Sequence, residues 1–231
     1  MLVRRSLLVL ALALMVVRCA DQPTAVSSVR APAAPQFLRW AGSGAPDFSA
    51  ISPQIQKPHG RSQNLTPPLK LDSYQVSFWG VRGETRSVQI NYASSIDDST
   101  HPFLRLTTTD PQVVPGVGEL AVGDSVLITV TIDTSKIGIS LEPSGLQFGA
   151  PSQLQIWYGG AGGDLNGDGV VDSSDAEVER QLLGLWYGGD DGQQWSEVSA
   201  SQDVGDKSFT YALPHFCEYA IAALLELAVS W

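Results

Sequence analysis

From residue 71 onward, the chain contains short runs in which apolar and polar residues alternate. The clearest run is residues 126–132, where Val, Ile, Val and Ile share one face. Period-two alternation predicts a strand with one buried face, and Gly, Pro and Asp between the runs indicate turns. Other runs of this kind, recognised by alternation or by β-branched and aromatic content, are 74–78, 88–92, 103–106, 137–141, 154–158, 183–187, 195–198, 209–213 and 216–224.

So many short strands predict an all-β fold. A single open sheet of about ten strands is uncommon, because twisted open sheets tend to curl or to split into two packed layers. We therefore expect a two-sheet antiparallel sandwich, interrupted by one short inserted loop and helix.

The chain before these strands has a different composition. From residue 21 to residue 70 it carries eight prolines, many Ala and Ser, and no sustained apolar period. This composition predicts an extended or disordered tether. The sequence does not decide whether residues 37–40 and 51–55 dock on the domain. The predicted division is 1–18 signal peptide, 19–70 tether, 71–118 accessory β unit, and 119–231 sandwich with an insertion at 163–184.

The insertion contains a candidate metal site. Residues 164–175 read D-L-N-G-D-G-V-V-D-S-S-D, with oxygen-bearing side chains at loop positions 1, 3, 5, 9 and 12 and Gly169 at position 6. Calcium takes six to eight oxygens at about 2.3–2.6 Å, so a short loop must curl and present alternate side chains inward. A solvated acidic turn is the alternative. The predicted calcium ligands are Asp164, Asn166, Asp168, the carbonyl of Val170, Asp172 and Asp175.

The residues around the loop predict how it joins the domain. Val171 at loop position 8 is the apolar residue expected to tie the loop to the core. Ser174 and Glu177 have the form of a capping box at the start of a helix. Val178 and Leu182 lie four residues apart on one helix face. We expect the helix to end at Gly184.

The loop and its exiting helix resemble one repeat of a dockerin. The shared pattern is D-x-N-x-D-G-x-V-D-S-x-D followed by a Leu-Leu-containing helix, and it covers about residues 163–184. Dockerins that dock onto cohesins carry two such repeats, and this chain shows one. The resemblance implies calcium-dependent folding and leaves cohesin docking open.

A second resemblance covers about residues 119–223. Its motifs, in chain order, are Pro143–Phe148, Pro151 with 154–156, 185–187, Gly192 with Trp195, and 213–220. They resemble the β-sandwich domain shared by ankyrins, netrin receptors and zonula occludens proteins. That family's pattern ends in His-Phe-Ser-x-Tyr, and Cys217 stands in the Ser place. Self-cleaving relatives cut between Phe and Ser, and Phe216-Cys217 would offer a thiol for the same reaction. In most members of the family this segment is an uncleaved strand with Phe packed inward, and the resemblance therefore implies an intact peptide here, with cleavage as the alternative.

A short repeat flanks the insertion. Trp157-Tyr158-Gly159-Gly160 recurs as Trp186-Tyr187-Gly188-Gly189. The loop and helix are therefore predicted to lie between two strands. If those strands are neighbours in one sheet, calcium would fix the crossover between them.

The N-terminus predicts export. Arg4 and Arg5 precede an apolar run at 7–17, which has the form of the charged and hydrophobic regions of a secretory signal. The run is too short to span a bilayer of about 30 Å. Cys19 at its end resembles the lipidated cysteine of a bacterial lipobox, with Arg18 where a small residue is usual. We expect an extracytoplasmic protein, either lipid-anchored at Cys19 or secreted.

The net charge of the mature chain limits the classes of partner that it can bind. All 24 acidic residues follow Arg18. Three of the 14 basic residues, Arg4, Arg5 and Arg18, lie in the predicted signal peptide, so the mature chain has 11 basic residues and a net charge of −13. Nucleic acid is an unsuitable partner for such a chain. Cys19 and Cys217 are the only cysteines, so lipidation of Cys19 leaves no intramolecular disulfide.

The remaining residues predict no enzyme site. Gly123-Asp124-Ser125 lies in a turn that enters a strand, His59 lies in the tether, and His101 precedes a proline. There is no paired Cys-x-x-Cys, His-x-x-x-His or phosphate-binding glycine loop with Lys. We expect no catalytic residue and no cofactor besides calcium. The predicted function is a binding, display or interaction module for an unknown protein or polysaccharide, with self-cleavage at Phe216-Cys217 or carbohydrate binding through exposed Trp and Tyr as alternatives.

Overall fold

Strands dominate the residues that the computed structural model describes, which are 34–42, 45–56, 63–64, 74–189 and 194–224. These residues contain 16 strands, one α-helix and one 3-10 turn, Gly159–Ala161. The strands are β1 Gln36–Phe37, β2 Phe48–Gln56, β3 Gln63–Asn64, β4 Gln75–Val81, β5 Thr85–Ala93, β6 Thr100–Thr109, β7 Pro111–Val114, β8 Gly118–Glu119, β9 Ser125–Asp133, β10 Gly138–Glu142, β11 Gln147–Trp157, β12 Leu183–Gly188, β13 Trp195–Glu197, β14 Ser201–Asp203, β15 Ser208–His215 and β16 Glu218–Ala223, and the helix is α1 Ser173–Gln181.

The strands form two sheets. The seven-stranded sheet has the order β13-β12-β16-β10-β9-β4, with β1 also paired to β16. The nine-stranded sheet has the order β14-β15-β11-β6-β5-β2-β3, and β7 joins it beside β11 and pairs with β8. All of the described strand pairs are antiparallel, including β9 with β10 in the first sheet and β11 with β15 in the second. The predicted all-β, two-sheet sandwich is confirmed.

The buried core follows the alternation that the sequence predicts. Val126, Ile128, Val130 and Ile132 of β9 are all buried, and the residues between them are exposed or half-buried. The pleat of a strand sends successive side chains to opposite faces, so one face of each sheet packs inward. The inward residues of the nine-stranded sheet include Val88, Ile90, Leu104, Leu106, Leu154 and Ile156.

Part of the chain predicted as a tether carries strands. β1 pairs with β16 and β2 pairs with β5. Leu38 and Trp40 are buried, and Trp40 donates from Nε1 to the carbonyl of Asp133 at 3.0 Å. The burial of these two side chains and the pairing of the strands stabilise an ordered segment in spite of its proline-rich composition.

The expected boundary at residue 118 does not separate two units in the structure. β4 pairs with β9 in one sheet, and β6 pairs with β11 in the other. Both sheets therefore combine strands from either side of the boundary. Residues Ala33–Trp231 form one compact unit.

The strands on either side of the insertion belong to different sheets. β11 lies in the nine-stranded sheet and β12 lies in the seven-stranded sheet. The sequence left open whether these strands are neighbours, and they are not. The loop and α1 therefore carry the chain from one sheet to the other. Among the described residues, no helix has the length and hydropathy needed to cross a membrane.

Candidate functional site

The first half of the 164–175 loop is wound by hydrogen bonds from backbone N–H groups to its own side chains. Asp164 accepts from Gly167 N–H at 2.8 Å and, through its other oxygen, from Gly169 N–H at 2.9 Å. The Asn166 side-chain oxygen accepts from Asp168 N–H at 2.9 Å. Gly169 has a φ of 86°, which confirms the sharp turn predicted at loop position 6. These short-range bonds coil the loop without help from another element.

The second half of the loop is organised as the cap of α1. Asp172 is the N-cap residue, and its carboxylate accepts from Ser174 N–H at 2.7 Å. Asp175 completes a capping box by accepting from Asp172 N–H at 2.8 Å. The prediction of a box formed by Ser174 and Glu177 is therefore wrong. The box begins two residues earlier because Asp172 has the extended backbone that an N-cap requires.

Asp175 also closes the loop. Its Oδ1 accepts from Leu165 N–H at 2.7 Å and from Asn166 N–H at 3.2 Å. Among the described residues, Asp175 is the only buried charged residue, with 3% of the residue exposed. The hydrogen bond from Asp172 N–H is the largest cause that lowers the pKa of the carboxyl, which stays below its usual range despite the opposing effect of burial.

The loop is anchored to the core by a residue other than the predicted one. Val171 is 69% exposed, whereas Leu165 at loop position 2 is 5% exposed. Val171 instead lies over Gly163, where an added Cβ would come within 2.8 Å of a Val171 methyl group. The prediction for Val171 is wrong because the turn that forms the cap points position 8 away from the core.

The helix is shorter than predicted. It ends at Gln181, with Leu182 as the C-cap, and Gly184 lies inside β12. Val178 is buried and Leu182 is 38% exposed. Gln202 ties the helix to the nine-stranded sheet by donating from Nε2 to the Glu179 carbonyl at 2.8 Å and to the Tyr158 hydroxyl at 3.2 Å.

The predicted calcium ligands fit the ion by chemistry, because carboxylate, amide and carbonyl oxygens are the donors that calcium prefers. Asn166 and Asp168 already touch, with Asn166 Nδ2 donating to Asp168 Oδ2 at 3.0 Å. Asp172 and Asp175 are turned toward backbone N–H groups of the cap. Within the described ranges, no group of three or more His, Cys, Asp or Glu side chains is arranged to hold a metal ion. Calcium binding at this loop stays a prediction.

The second candidate position is the Phe216-Cys217 peptide. The carbonyl oxygen of Phe216 accepts from Gly145 N–H at 2.8 Å, and His215 Nδ1 lies 3.3 Å from the same oxygen. Cys217 is 5% exposed, and its thiol donates to the Gly188 carbonyl at 2.9 Å. Phe216 is fully buried and packs edge-on against Phe148, with ring centroids 5.0 Å apart.

Tyr219 stabilises the backbone at this position. Its hydroxyl donates to the His215 carbonyl at 3.1 Å. Burial of the phenol is the main cause that raises the pKa of Tyr219 well above its usual range. The hydroxyl therefore remains a neutral donor at any physiological pH.

The sequence did not predict a small polar group around His101. Its Nε2 lies 2.7 Å from Ser99 Oγ and 2.9 Å from Asp97 Oδ2. Both oxygens contact the same ring nitrogen, so the three side chains do not form a relay from nucleophile to base to acid. The His101 and Asp97 side chains are 42% and 50% exposed.

The aromatic residues divide between core and surface. Trp40, Trp157 and Trp186 are each 7% exposed, whereas Trp79 is 53% exposed and Tyr74 is 43% exposed. Trp79 lies opposite Leu127, which is also exposed, on the outer face of the seven-stranded sheet. Cys19 lies outside the described residues.

Comparisons with protein-family models, with curated proteins and with solved structures found no match to this chain.

Proposed function

We propose that this chain is an exported cell-envelope protein whose sandwich acts as a binding or display module. In this proposal, the loop at 164–175 holds one structural calcium ion. The observation that supports it is the position of the loop, which joins β11 of one sheet to β12 of the other. An ion held there would stabilise the connection between the sheets.

Bound calcium would supply a positive charge that offsets the repulsion between the loop carboxylates. Asp164, Asn166 and Asp168 would present side-chain oxygens, and Val170 would present its carbonyl. Asp172 and Asp175 would have to share their oxygens between the ion and the cap. In this proposal the role of these residues is structural, since the loop lies on a connection between strands of the two sheets.

Calorimetric titration of the wild-type protein with calcium tests this proposal. We expect a dissociation constant of about 10⁻⁴–10⁻³ M, the range typical of extracellular modules. Asp164→Ala should abolish the binding heat, because it removes loop position 1. Asp47→Ala is the matched control, since Asp47 is an exposed acid outside the loop. Absence of binding heat for the wild type at millimolar calcium would contradict the proposal.

Export is the second part of the proposal. Arg4, Arg5, the apolar run at 7–17 and Cys19 support it. A single acyl chain gives only marginal membrane binding, so stable anchoring would depend on the several chains that lipoprotein processing adds. Metabolic labelling with palmitate should be lost in Cys19→Ser. Labelling that is unchanged by this substitution would leave simple secretion.

Self-processing at Phe216-Cys217 is a second candidate function. The observation in its favour is the Gly145 N–H, which donates to the Phe216 carbonyl oxygen. A fixed backbone donor at a carbonyl stabilises the negative charge that develops when a nucleophile attacks it.

The chemistry would be an acyl shift followed by hydrolysis. The Cys217 sulfur would form a bond to the Phe216 carbonyl carbon while the bond to the Cys217 nitrogen breaks, and that nitrogen would take up the thiol proton. Water would then hydrolyse the thioester, giving a carboxylate on Phe216 and a new amino terminus at Cys217.

The geometry favours an intact peptide. The Cys217 thiol donates to the Gly188 carbonyl and would have to rotate away from it before attack. Water is excluded from the buried Phe216 side chain. We therefore propose a binding module without turnover and keep self-processing as the alternative.

A further inference from the structure

Five adjacent strands of the nine-stranded sheet contain no acidic residue. These strands are β15, β11, β6, β5 and β2 in spatial order. Their sequences include neither Asp nor Glu, in a chain with 24 acidic residues and a net charge of −10. The long-range field of such a chain repels anions. The outer face of these strands therefore places no acidic side chain of its own beside an anionic ligand.

Arg105 lies near the centre of this face. It is exposed, and it pairs across the sheet with Gln89 of β5 and with Gln155 of β11. No described carboxylate forms an ion pair with it, whereas the other arginine of these strands, Arg86, is paired with Glu84 at 2.7 Å. The charge of Arg105 is thus available to a ligand.

The Arg105 side chain is held in position. Its Nε and Nη2 donate to Gln89 Oε1 at 3.3 and 2.7 Å. Its guanidinium carbon lies 5.8 Å from the ring centroid of Trp157, a cation–π contact. Asp206, at the turn before β15, accepts from Trp157 Nε1 at 2.9 Å and so holds the ring. A guanidinium that is already oriented loses less freedom when it binds a carboxylate.

The residues around Arg105 carry amides and hydroxyls. One row across the sheet is Gln89, Arg105, Gln155 and Thr210, and the next row is Ser87, Thr107, Gln153 and Ala212. Amides and hydroxyls can both donate and accept hydrogen bonds, as sugar hydroxyls do. The exposed large apolar side chains of the described residues all lie outside β5, β6, β11 and β15. Protein-binding patches usually have an apolar or aromatic centre, whereas the aromatic ring on this face, Trp157, lies beneath Arg105 and is only 7% exposed.

We propose that this face binds an acidic polysaccharide through the carboxylates of its uronic acid residues. Arg105 would bind a carboxylate, and the amides of Gln153 and Gln155 would bind sugar hydroxyls. The proposal names the ligand class and the surface for the binding role proposed above, and it rests on that role.

Calorimetric titration with short oligogalacturonates tests the proposal. The comparison probes are neutral malto-oligosaccharides, dextran sulfate oligosaccharides, which carry sulfate but no uronic acid, and a poly-glutamate peptide. We expect the wild type to bind the oligogalacturonate and to bind each of the other probes at least about tenfold more weakly. Arg105→Gln should weaken binding by about tenfold or more, because a hydrogen bond to a charged group is stronger than one between neutral groups. Arg39→Gln is the matched control, because it removes one exposed positive charge elsewhere and should leave the affinity unchanged.

Gln153→Ala provides a second variant should Arg105→Gln fail to fold. Gln153 is exposed, so its truncation should preserve the fold and weaken binding by about threefold. Failure of the wild type to bind oligogalacturonate would overturn the proposal, as would equal binding by Arg105→Gln. Equal or tighter binding of dextran sulfate, malto-oligosaccharide or poly-glutamate would overturn the uronate assignment. A protein that binds calcium but no oligogalacturonate would leave the structural calcium site standing and remove only this proposal.

Discussion

The Asp175 carboxylate accepts a 2.7 Å hydrogen bond from the backbone N–H of Leu165, ten residues earlier in the chain. The same side chain caps α1 through Asp172 N–H. One buried carboxylate therefore fixes both ends of the loop, and it does so with donors that belong to the loop itself. The coiled form of the loop and the binding of an ion can be tested separately for this reason.

Asp175→Ala is expected to lower the melting temperature both with and without calcium, because three backbone N–H groups lose their acceptor. Asp172→Ala removes an N-cap acceptor and should cost about 1 kcal/mol. We expect the larger effect from Asp175→Ala, since its carboxylate is buried and that of Asp172 is exposed. Thermal unfolding of both variants in chelator and in calcium measures the difference. A melting temperature for Asp175→Ala equal to that of the wild type in chelator would show that the loop is not held by this side chain.

Leu165 and Val171 form a matched pair of loop positions. Leu165→Ala should destabilise the protein by about 2–5 kcal/mol, because it empties a buried site. Val171→Ala should change stability by less than about 0.5 kcal/mol, as is usual for an exposed position. Urea unfolding of the two variants is the measurement. A larger loss for Val171→Ala than for Leu165→Ala would restore Val171 as the residue that ties the loop to the core.

The Phe216-Cys217 peptide should stay intact. Purified protein held at neutral pH for a day is expected to show the full mass by mass spectrometry, since the Cys217 thiol points to Gly188. Phe216→Ala should destabilise the sandwich by about 3–5 kcal/mol because the ring is fully buried. A fragment that begins at Cys217, and that is missing from Cys217→Ala, would establish self-processing in place of the non-enzymatic role.

Acid should destabilise the protein partly through Asp133. Burial alone would raise the pKa of this carboxyl, but hydrogen bonds from Lys136 and Ser135 outweigh that effect and lower the pKa. Lys136 Nζ lies 2.5 Å from Asp133 Oδ2. Because the folded-state pKa lies below the unfolded value of about 3.9, the contribution to stability is complete above that pH. It is lost as the pH falls through the folded-state value.

Lys136→Met should therefore weaken the acid dependence of stability below about pH 4. The Met side chain keeps apolar contact with the rings of Phe37 and Trp195, over which Lys136 lies at 5.5 and 5.4 Å. The free energy of unfolding, measured in urea across the acid range, reports the change. Asp133→Asn is the control and should flatten the same part of the profile. An identical profile for wild type and both variants would exclude this ion pair as a source of the dependence.

The alternation of apolar and polar residues determined the strands. It did so where one face of the strand is buried and the other is exposed. Residues 126–132 form β9 with the predicted inward face, because alternation is a property of the strand itself. The tight turn at Gly169 was predictable for the same reason, since a positive φ at one residue depends on that residue. The predicted calcium ligands, the lipid on Cys19 and the binding role remain predictions.

Only the tertiary structure decided which strands are neighbours and which side chains meet. The composition of residues 21–70 indicated a tether, yet β2 pairs with β5 in the nine-stranded sheet. The composition of a segment does not show whether a strand elsewhere in the chain will pair with it. Leu165 rather than Val171 is buried, since the cap formed by Asp172 and Asp175 sets the direction of the loop. Gln89 and Arg105 lie on the consecutive strands β5 and β6, and Gln155 joins them from β11, which comes much later in the chain. Cross-strand pairing depends on sheet order and register, which the local pattern does not specify.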